Sequence, residues 1–374
     1  MQRRHFLQIS AATPLLGTLG AALPSVASAA QRPADDGWRA YDVATRIDLS
    51  ERTTQGRVWV PLPARQLVGS GGAAYQRLLE TRFDAPGASL AKVVRGPADA
   101  QMLMVEWTDA TVPQQVTLVN RVALRDRATD LGAEARAINA SAAELRPWLR
   151  ATPLKPTDGI VGDTARKITA DAGARTDMEK AKAIYDWIVA HCHREGSVRG
   201  CGTGDVKFVL TSGNLGGKCA DLNGLFVALA RASGVPARDV YGVRVDDSAH
   251  GYKSMGKSGD ISKAQHCRAE FYAQGYGWVP VDPADVRKVM LEETKEGLAA
   301  TDVRVRAANA MLFGAWEMNW MGYNHADDMR LPGARQQGPI GFLMYPNGET
   351  AQGRLDSLDP ATFRYSIGST RVAA

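Results

Sequence analysis

Residues 216–238 read GGKCADLNGLFVALARASGVPAR, and this stretch decides the fold. A glycine-containing turn leads directly into an apolar helix that we predict over residues 219–233, because its leucines and phenylalanine recur on one face. Gly234 and Pro236 mark the end of the helix, since glycine favours a helix C-terminus and proline prevents continuation. The pattern therefore puts Cys219 in the first turn of a buried helix.

Cys219 is the candidate nucleophile. The start of a helix carries a partial positive charge and unpaired N–H groups. Both lower the pKa of a thiol, which favours the reactive thiolate. The alternative is a structural cysteine at a helix start, since buried inert cysteines are common.

A predicted β-hairpin supplies two partners for the thiol. His266 begins an alternating strand whose other face is apolar, so we expect its imidazole to point away from the core. A hairpin centred on residue 274, within the turn 274–277, places Asp282 opposite His266. A carboxylate there fixes the imidazole tautomer, and the imidazole can then deprotonate a thiol. A surface histidine beside a strand-end aspartate is the alternative, but the three residues together favour a triad.

These motifs resemble the core of the transglutaminase-like superfamily. The runs 217–221, 225–231 and 234–238 match the segment around its cysteine. The strand that starts at His266 and the run 278–283, which reads WVPVDP, match its other two motifs.

The resemblance covers roughly residues 176–285 and implies a papain-like cysteine fold. It implies that Cys219 is the nucleophile, His266 the base and Asp282 the residue that orients the base. Two departures are visible. Cys267 and an arginine follow the histidine, and no calcium-loop pattern is present, so calcium dependence is not implied.

Further site residues are predicted around the nucleophile. The backbone N–H of Cys219 is one candidate oxyanion donor. The resemblance implies a second donor ahead of the nucleophile, for which Asn214 is the candidate, although a turn-forming asparagine explains it equally well. We also predict that Trp278, Gly217 and Asp205 line the cleft.

The other cysteines leave two interpretations open. The sequence has four cysteines, and if Cys219 is a free nucleophile the remaining three can form one pair. Cys192–Cys201 and Cys201–Cys267 are the candidate disulfides in an oxidising compartment. Two histidines flank Cys192, but His-Cys-His is not a standard zinc-ligand spacing. No metal and no cofactor is therefore predicted.

The N-terminus has the order of a targeting segment. Arg3 and Arg4 precede a mildly apolar run, and Ala27-Ser28-Ala29 supplies small residues for a signal peptidase. We interpret residues 1–29 as a twin-arginine signal peptide that directs the protein to the periplasm or the exterior. The alternative is an amphipathic helix or a retained anchor.

The rest of the chain has an α+β pattern. Residues 36–128 are predicted to form a small β-sandwich in which strands 42–49 and 57–62 pair. Residues 129–160 are a polar connector. Residues 161–374 are the predicted catalytic domain, in which two helices precede antiparallel strands, an order typical of α+β folds rather than doubly wound sheets.

Composition excludes several classes of protein. The chain has 374 residues, of which 45% are hydrophobic and 23% charged, so it is neither disordered nor a membrane bundle. Its net charge of +5 is too small and too evenly spread to indicate nucleic-acid binding. No apolar run is long enough for a transmembrane segment in the mature chain. A Gly-, Ser- and Lys-rich insertion at 246–263 is predicted to be a mobile loop beside the sheet.

The sequence therefore predicts an exported transglutaminase-like cysteine enzyme. It would cleave or transfer acyl groups from peptide or isopeptide amides through an acyl-enzyme on Cys219, with hydrolysis favoured because water is abundant. The expected partner is a peptide or protein amide, with the cell envelope as one source. Two alternatives are a binding module that kept the fold and lost turnover, and a metal-dependent enzyme that uses the cluster at residues 191–201.

Overall fold

The chain is described by a computed structural model over residues 37–49, 51–69, 72–132, 139–336 and 338–373. These residues belong to one compact unit. The predicted signal peptide, residues 1–29, lies outside the described residues. None of the helices in the described ranges combines the length and apolar character needed to span a bilayer.

The helices are concentrated in the middle of the chain. They are α1 (Ala142–Leu145), α2 (Gly159–Asp171), α3 (Asp177–His191), α4 (Val206–Thr211), α5 (Cys219–Ala232), α6 (Pro283–Glu292) and α7 (Val303–Met311). Strands occupy most of the remaining ordered elements. They are β1 (Arg39–Asp48), β2 (Gly56–Pro61), β3 (Gln66–Val68), β4 (Ala74–Asp84), β5 (Leu90–Arg95), β6 (Gln101–Trp107), β7 (Gln115–Leu124), β8 (Arg127–Ala128), β9 (His193–Arg194), β10 (Gly216–Gly217), β11 (Ala237–Arg244), β12 (Gly259–Asp260), β13 (Gln265–Ala273), β14 (Gly277–Val281), β15 (Ala315–Trp316), β16 (Trp320–Asn324), β17 (Asp327–Met329), β18 (Ile340–Phe342), β19 (Asn347–Thr350), β20 (Gly353–Arg354) and β21 (Arg364–Val372).

Helix α5 is the central element and matches the predicted helix to within one residue. Its residues from Cys219 to Arg231 are buried, so the helix is covered on all sides. The helix ends where predicted. Gly234 adopts a φ of +82°, and the backbone N–H of Val235 donates to the carbonyl of Ala230 at 2.9 Å. A buried helix with a fixed start and end holds its first residue in a defined position.

A four-stranded antiparallel sheet, in the order β14-β13-β11-β16, packs against α5 through β13. The β13–β14 hairpin exists, but its predicted register was wrong. Ala269 pairs with Val281, and continuing this register puts Asp282 opposite Arg268 rather than His266. Because side chains alternate with a period of two, a two-residue shift keeps Asp282 on the same face as His266.

Two further sheets form a β-sandwich. One sheet has the order β12-β21-β1-β7-β4-β3 and the other has the order β20-β19-β2-β6-β5. Side chains from both sheets form their shared core, among them Ile47, Val58, Leu103, Leu118 and Phe363. Burying one face of each sheet against the other is the usual reason that such strands are stable.

The predicted pairing of the first two strands was wrong. β1 pairs with β7 and β21, whereas β2 pairs with β6 and β19, so the polar stretch between β1 and β2 crosses from one sheet to the other. The end of the chain also differs from the expected division. Strands β19 to β21, which we assigned to the catalytic domain, complete both sheets of the sandwich.

The insertion at 246–263 is anchored at several points. Its short strand β12 pairs with β21 at the edge of the sandwich. The backbone N–H groups of Lys253 and Ser254 donate to Glu293 at 3.0 and 3.1 Å. The insertion therefore links the sandwich to the segment that follows α6, and its mobility stays a prediction.

Candidate active site

Cys219 lies at the first position of α5 and is 3% exposed. Asp221 fixes the chain around it, because its carboxylate accepts hydrogen bonds from the backbone N–H groups of Lys218 (3.0 Å), Thr203 (3.0 Å) and Gly204 (2.9 Å). The turn before the cysteine and the loop 199–205 are thus held together at the start of the helix.

His266 and Asp282 are brought into direct contact. The imidazole Nε2 of His266 lies 2.7 Å from Asp282 Oδ2, and both side chains are buried. Asp282 also begins α6, where its carboxylate accepts the backbone N–H of Asp285 at 3.1 Å. The same carboxylate therefore caps a helix and orients the imidazole.

Asn223 joins the three elements of the site. It lies one turn after Cys219 on α5, and its Nδ2 donates both to Asp282 Oδ1 (3.0 Å) and to the carbonyl of Cys267 (2.8 Å). Its Oδ1 accepts the backbone N–H of Ala284 at 3.2 Å. One buried amide thus ties the cysteine helix to β13 and to the start of α6.

Buried charges surround the imidazole. Asp285 Oδ2 lies 3.4 Å from His266 Nε2 and accepts Arg244 NH2 at 2.8 Å, while Asp285 Oδ1 accepts the same nitrogen at 2.6 Å. Burial acts to lower the pKa of His266, but the carboxylates of Asp285 and Asp282 outweigh it and raise the pKa above its ordinary value. The surroundings therefore favour the imidazolium.

The thiol of Cys219 has unusual neighbours. Hydrogen bonds from the thiols of Cys201 and Cys267, together with His266, lower the pKa of Cys219 well below its ordinary value, although burial alone would raise it. The pKa of Cys201 is raised by its hydrogen bond to Cys219, and that of Cys267 chiefly by burial. The three thiols therefore differ in their charge, and Cys219 is the one that favours the thiolate.

Cys219 and His266 line a cavity of about 720 Å³. Cys201 lies beside them, and the insertion contributes Lys257 and Lys263 to the wall. Buried reactive groups need such an opening to reach a substrate, and this volume is typical of small-ligand sites.

Asn214 and Gly217, predicted near the nucleophile, are not among the described residues that line the cavity. Asn214 is exposed, and its backbone N–H donates to Ser212 Oγ at 3.3 Å within the turn. Gly217 is buried against Asp221: a Cβ added to it would lie 2.5 Å from the Asp221 Cβ. Gly217 therefore allows the close approach of the turn to α5.

Asp205 and Trp278, the other predicted lining residues, are also absent from the described walls of the cavity. Asp205 caps α4, where its carboxylate accepts the backbone N–H of Phe208 at 3.0 Å. Trp278 packs edge-on against Trp148 and lies under the guanidinium of Arg238, 3.9 Å from the ring centroid. Both residues support the fold at a distance from the thiol.

The residues of the suspected zinc cluster have separate surroundings. His191 stacks on Trp187, whereas Cys192 is buried in the core. The single S–H of Cys201 instead has two acceptors in reach, the carbonyl of Gln265 at 3.3 Å and the sulfur of Cys219. All four cysteines are free in the structure, so neither candidate disulfide is formed.

A different group has the donor atoms for a metal. Within the described residues, His266, Asp282 and Asp285 each offer a ligand atom within 4.8 Å of the others. However, Arg244 and Asn223 already donate to these carboxylates, and Arg268 Nε lies 3.6 Å from Asp282. Because cationic and N–H groups already satisfy the oxygens, this arrangement is a buried hydrogen-bond network.

Sequence reasoning missed several residues of this network. Asp282 followed by proline, with Asp285 three residues on, is the pattern of a helix start, and it could have predicted α6. Asn223 lies one helical turn beyond Cys219 and could have been found by that spacing. Arg244 carries no local signal, since only the fold brings it to Asp285.

The comparisons with known proteins agree with this fold. The family model for the transglutaminase-like superfamily matches residues 162–283. An uncharacterised protein of Haemophilus influenzae is 36% identical over 351 residues, which cover 89% of this chain and 91% of the relative.

Two solved structures align with this chain at low sequence identity. A candidate cysteine protease from Cytophaga hutchinsonii aligns with a TM-score of 0.48 and 16% identity, over 89% of this chain and 98% of that one. The periplasmic domain of TgpA from Pseudomonas aeruginosa gives a TM-score of 0.35 and 14% identity, over 74% of this chain and 93% of that one. The family model places residues 162–283 of this chain in the transglutaminase-like superfamily.

Proposed function

We propose that this protein is an exported cysteine enzyme that cleaves or transfers acyl groups from peptide or isopeptide amides. The observation that carries the proposal is the meeting of Cys219, at a helix start, with an imidazole that a carboxylate holds at 2.7 Å. A nucleophile, a base and an orienting group in this order are what acyl transfer through cysteine requires.

The proposed chemistry follows from the orientation of the ring. Because Nε2 of His266 faces Asp282, the other ring nitrogen, Nδ1, is the one available to Cys219. Nδ1 takes the thiol proton, and the thiolate attacks the amide carbonyl carbon. The C–N bond then breaks as the imidazolium returns a proton to the leaving amine, which leaves a thioester on Cys219. Water, deprotonated by the same imidazole, hydrolyses the thioester, whereas an amine would give transfer.

The backbone N–H of Cys219 is the proposed oxyanion donor. It is the first N–H of α5, and within the described residues it has no hydrogen-bond acceptor. An N–H at that position points outward from the helix start, where the developing negative charge on the carbonyl oxygen would be stabilised. Asn214 remains a weaker candidate for the second donor, because it is exposed and outside the cavity wall.

The sandwich has a proposed part in the site. Phe363, just before strand β21, and Tyr365, within it, line the cavity that contains Cys219. We infer that the sandwich closes one side of the cleft and helps to position the substrate. Export to the periplasm or exterior through the twin-arginine route is proposed from the leader at residues 1–29.

The test is acylation by an activated thioester or amide, followed by mass spectrometry of the intact protein. We expect a burst of one acyl group per molecule, located on Cys219 and absent from Cys219→Ala. Cys192→Ala is the matched control, since that thiol is buried outside the cavity and should leave the burst unchanged. No burst between about pH 5 and about pH 9 would overturn the proposal and favour a binding module.

A further inference from the structure

The cavity around Cys219 has an unequal distribution of charge. Within the described residues that line it, seven side chains are basic and one carboxylate, Asp260, is acidic. The basic residues are Arg194, Arg199, Lys218, Arg244, Lys257, Lys263 and Lys288. Such an excess in one cleft is unexpected for a chain with nearly balanced totals of 45 basic and 40 acidic residues.

Four of these cations form ion pairs with three carboxylates outside the lining. Arg244 pairs with Asp285, and Arg199 pairs with Asp356 at 2.6 Å. Arg194 and Lys288 share a single carboxylate, that of Glu292, which lies 3.7 Å from the lysine ammonium. Seven cations thus face Asp260 and three outer carboxylates, which leaves about three positive charges in the cleft.

Three of the lining lysines belong to none of these ion pairs. The lysines that form ion pairs in the described part of the chain are Lys155, Lys167, Lys182 and Lys288. Lys218, Lys257 and Lys263 are not among them. Lys218 directly precedes Cys219, and the other two lie on the anchored insertion. The carboxylate of Asp260 accepts the Ser262 hydroxyl at 2.6 Å and the Ser262 backbone N–H at 3.0 Å, and these bonds, with the charges of Lys257 and Lys263, lower its pKa.

Another part of the lining has a different chemistry. It consists of residues from the C-terminal part of the chain, and these are largely apolar or aromatic: Tyr345, Leu358, Pro360, Phe363 and Tyr365. The cleft around the thiol therefore presents both ammonium groups and hydrophobic surface.

We propose that the cleft selects amide substrates that carry a carboxylate and an apolar group close to the scissile bond. This inference rests on the proposed function of Cys219. A basic cleft between low-dielectric walls concentrates anions and speeds their association. The lysines are not needed to generate the thiolate, because hydrogen bonds from Cys201 and Cys267 are the largest causes of the low pKa of Cys219.

The experiment compares two reagents that differ only in charge. Iodoacetate and iodoacetamide alkylate the same thiolate, so the ratio of their rate constants cancels any change in the thiolate fraction. Modification of Cys219 is followed by mass spectrometry, with N-acetylcysteine as the reference thiol. We expect the iodoacetate/iodoacetamide ratio to be about tenfold higher for Cys219 than for the reference.

The variants locate the source of the preference. In Lys257→Gln/Lys263→Gln, we expect the ratio to fall about fivefold. Lys92→Gln/Lys295→Gln is the matched control, since these two lysines are exposed and outside the cavity lining, and it should keep the wild-type ratio. A second measurement needs no variant: raising the salt from about 0.05 M to about 0.5 M should lower the wild-type ratio roughly threefold by screening.

The possible failures are distinguishable. If Cys219 reacts with iodoacetamide but its ratio equals that of N-acetylcysteine and does not respond to salt, the acidic preference is overturned while the proposed function stands. An equal fall of the ratio in the two double variants also overturns it, because the effect would then come from net charge. If neither reagent modifies Cys219, the proposed function fails and the substrate preference fails with it.

Discussion

Two buried titratable residues of strand β13, of opposite charge, have different surroundings. Near the start of the strand, His266 contacts Asp282 at 2.7 Å and lines the cavity. In the middle of the strand, Glu270 is fully buried, contacts Arg127, and accepts Arg238 Nε at 2.7 Å and the hydroxyl of Tyr75 at 3.2 Å. Both residues lie on the same face of the strand, four positions apart, and both are enclosed by opposite charges.

This difference shows how a candidate site can be distinguished from a structural ion pair. Glu270 has a strongly shifted pKa, which its arginine partners lower to about 2 despite its burial. If the pKa shift were the only criterion, Glu270 would be as strong a candidate for a functional residue as His266. Glu270 is not among the described residues that line the cavity of Cys219, whereas His266 lines it together with that thiol. Access and a reacting partner, rather than buried charge, therefore mark the site.

Replacing the carboxylate of Asp282, which contacts His266, should have the largest effect on the acylation rate. In Asp282→Asn, the imidazolium loses its carboxylate and the ring can adopt the wrong tautomer, so we expect the acylation rate of Cys219 to fall by about 10²- to 10⁴-fold. The measurement is burst acylation by an activated ester, normalised to folded protein. Glu270→Gln is the matched carboxylate-to-amide change, and its acylation rate should stay within about threefold of the wild-type rate. Equal losses in the two variants would show that the comparison is mistaken.

Stability should show the reverse order. Glu270→Gln leaves Arg127 buried without its carboxylate, and removing one partner of a buried pair costs about 3–5 kcal/mol of unfolding free energy. Urea denaturation at neutral pH measures this loss. Glu80→Gln is the control, because the exposed pair of Glu80 with Arg82 should contribute less than about 1 kcal/mol. A loss for Glu270→Gln no larger than that of the control would mean that the buried pair does not stabilise the fold.

The same comparison shows which parts of the molecule the sequence could predict. Local signals located α5 and the alternating strand of His266. Strands β4 and β5 were not predicted, because much of their length is exposed and the apolar alternation is weak. Glu270 was not singled out either, since Arg127 lies 143 positions away in the chain and only the fold joins them.

The candidate triad was found because each member has a local signal: a helix start, an alternating strand and a strand end. The hairpin register was wrong by two residues, since the centre of the turn cannot be fixed by spacing alone. Asp282 was nevertheless assigned to the correct face of the hairpin, because side chains alternate with a period of two and a shift of two residues keeps the face. Long-range partners such as Arg244 and Cys201 depend on tertiary packing, so local pattern could not assign them to the site.

The contributions of Glu270 and His266 to the pH dependence of stability should have opposite signs. Glu270 has a pKa lowered to about 2, so its contribution is present above the unfolded value near 4.3 and is lost as the pH falls through the folded value. That contribution amounts to about 3 kcal/mol. The pKa of His266 is raised, so its contribution is present below its unfolded value near 6.5 and is lost as the pH rises through the folded value.

Urea denaturation across the pH range measures both contributions. The stability difference between wild type and Glu270→Gln should shrink between about pH 4 and about pH 2. The difference between wild type and His266→Ala should instead shrink on the alkaline side of about pH 6.5. Parallel curves for wild type and either variant would contradict the assignment of that residue.

The smallest expected effect concerns the thiol that sits beside the nucleophile. Cys201→Ala removes a hydrogen bond that lowers the pKa of Cys219, so the thiolate fraction at acidic pH should decrease. We expect alkylation of Cys219 by iodoacetamide at about pH 6 to slow by roughly three- to tenfold, the value of one ordinary hydrogen bond, because a thiol is a weak donor. Cys192→Ala is the control, because burial raises the pKa of Cys192 to about 12 and its side chain does not line the cavity. If both alanine variants leave the rate unchanged, the thiol of Cys201 does not tune Cys219, and the low pKa of Cys219 depends on Cys267 and His266.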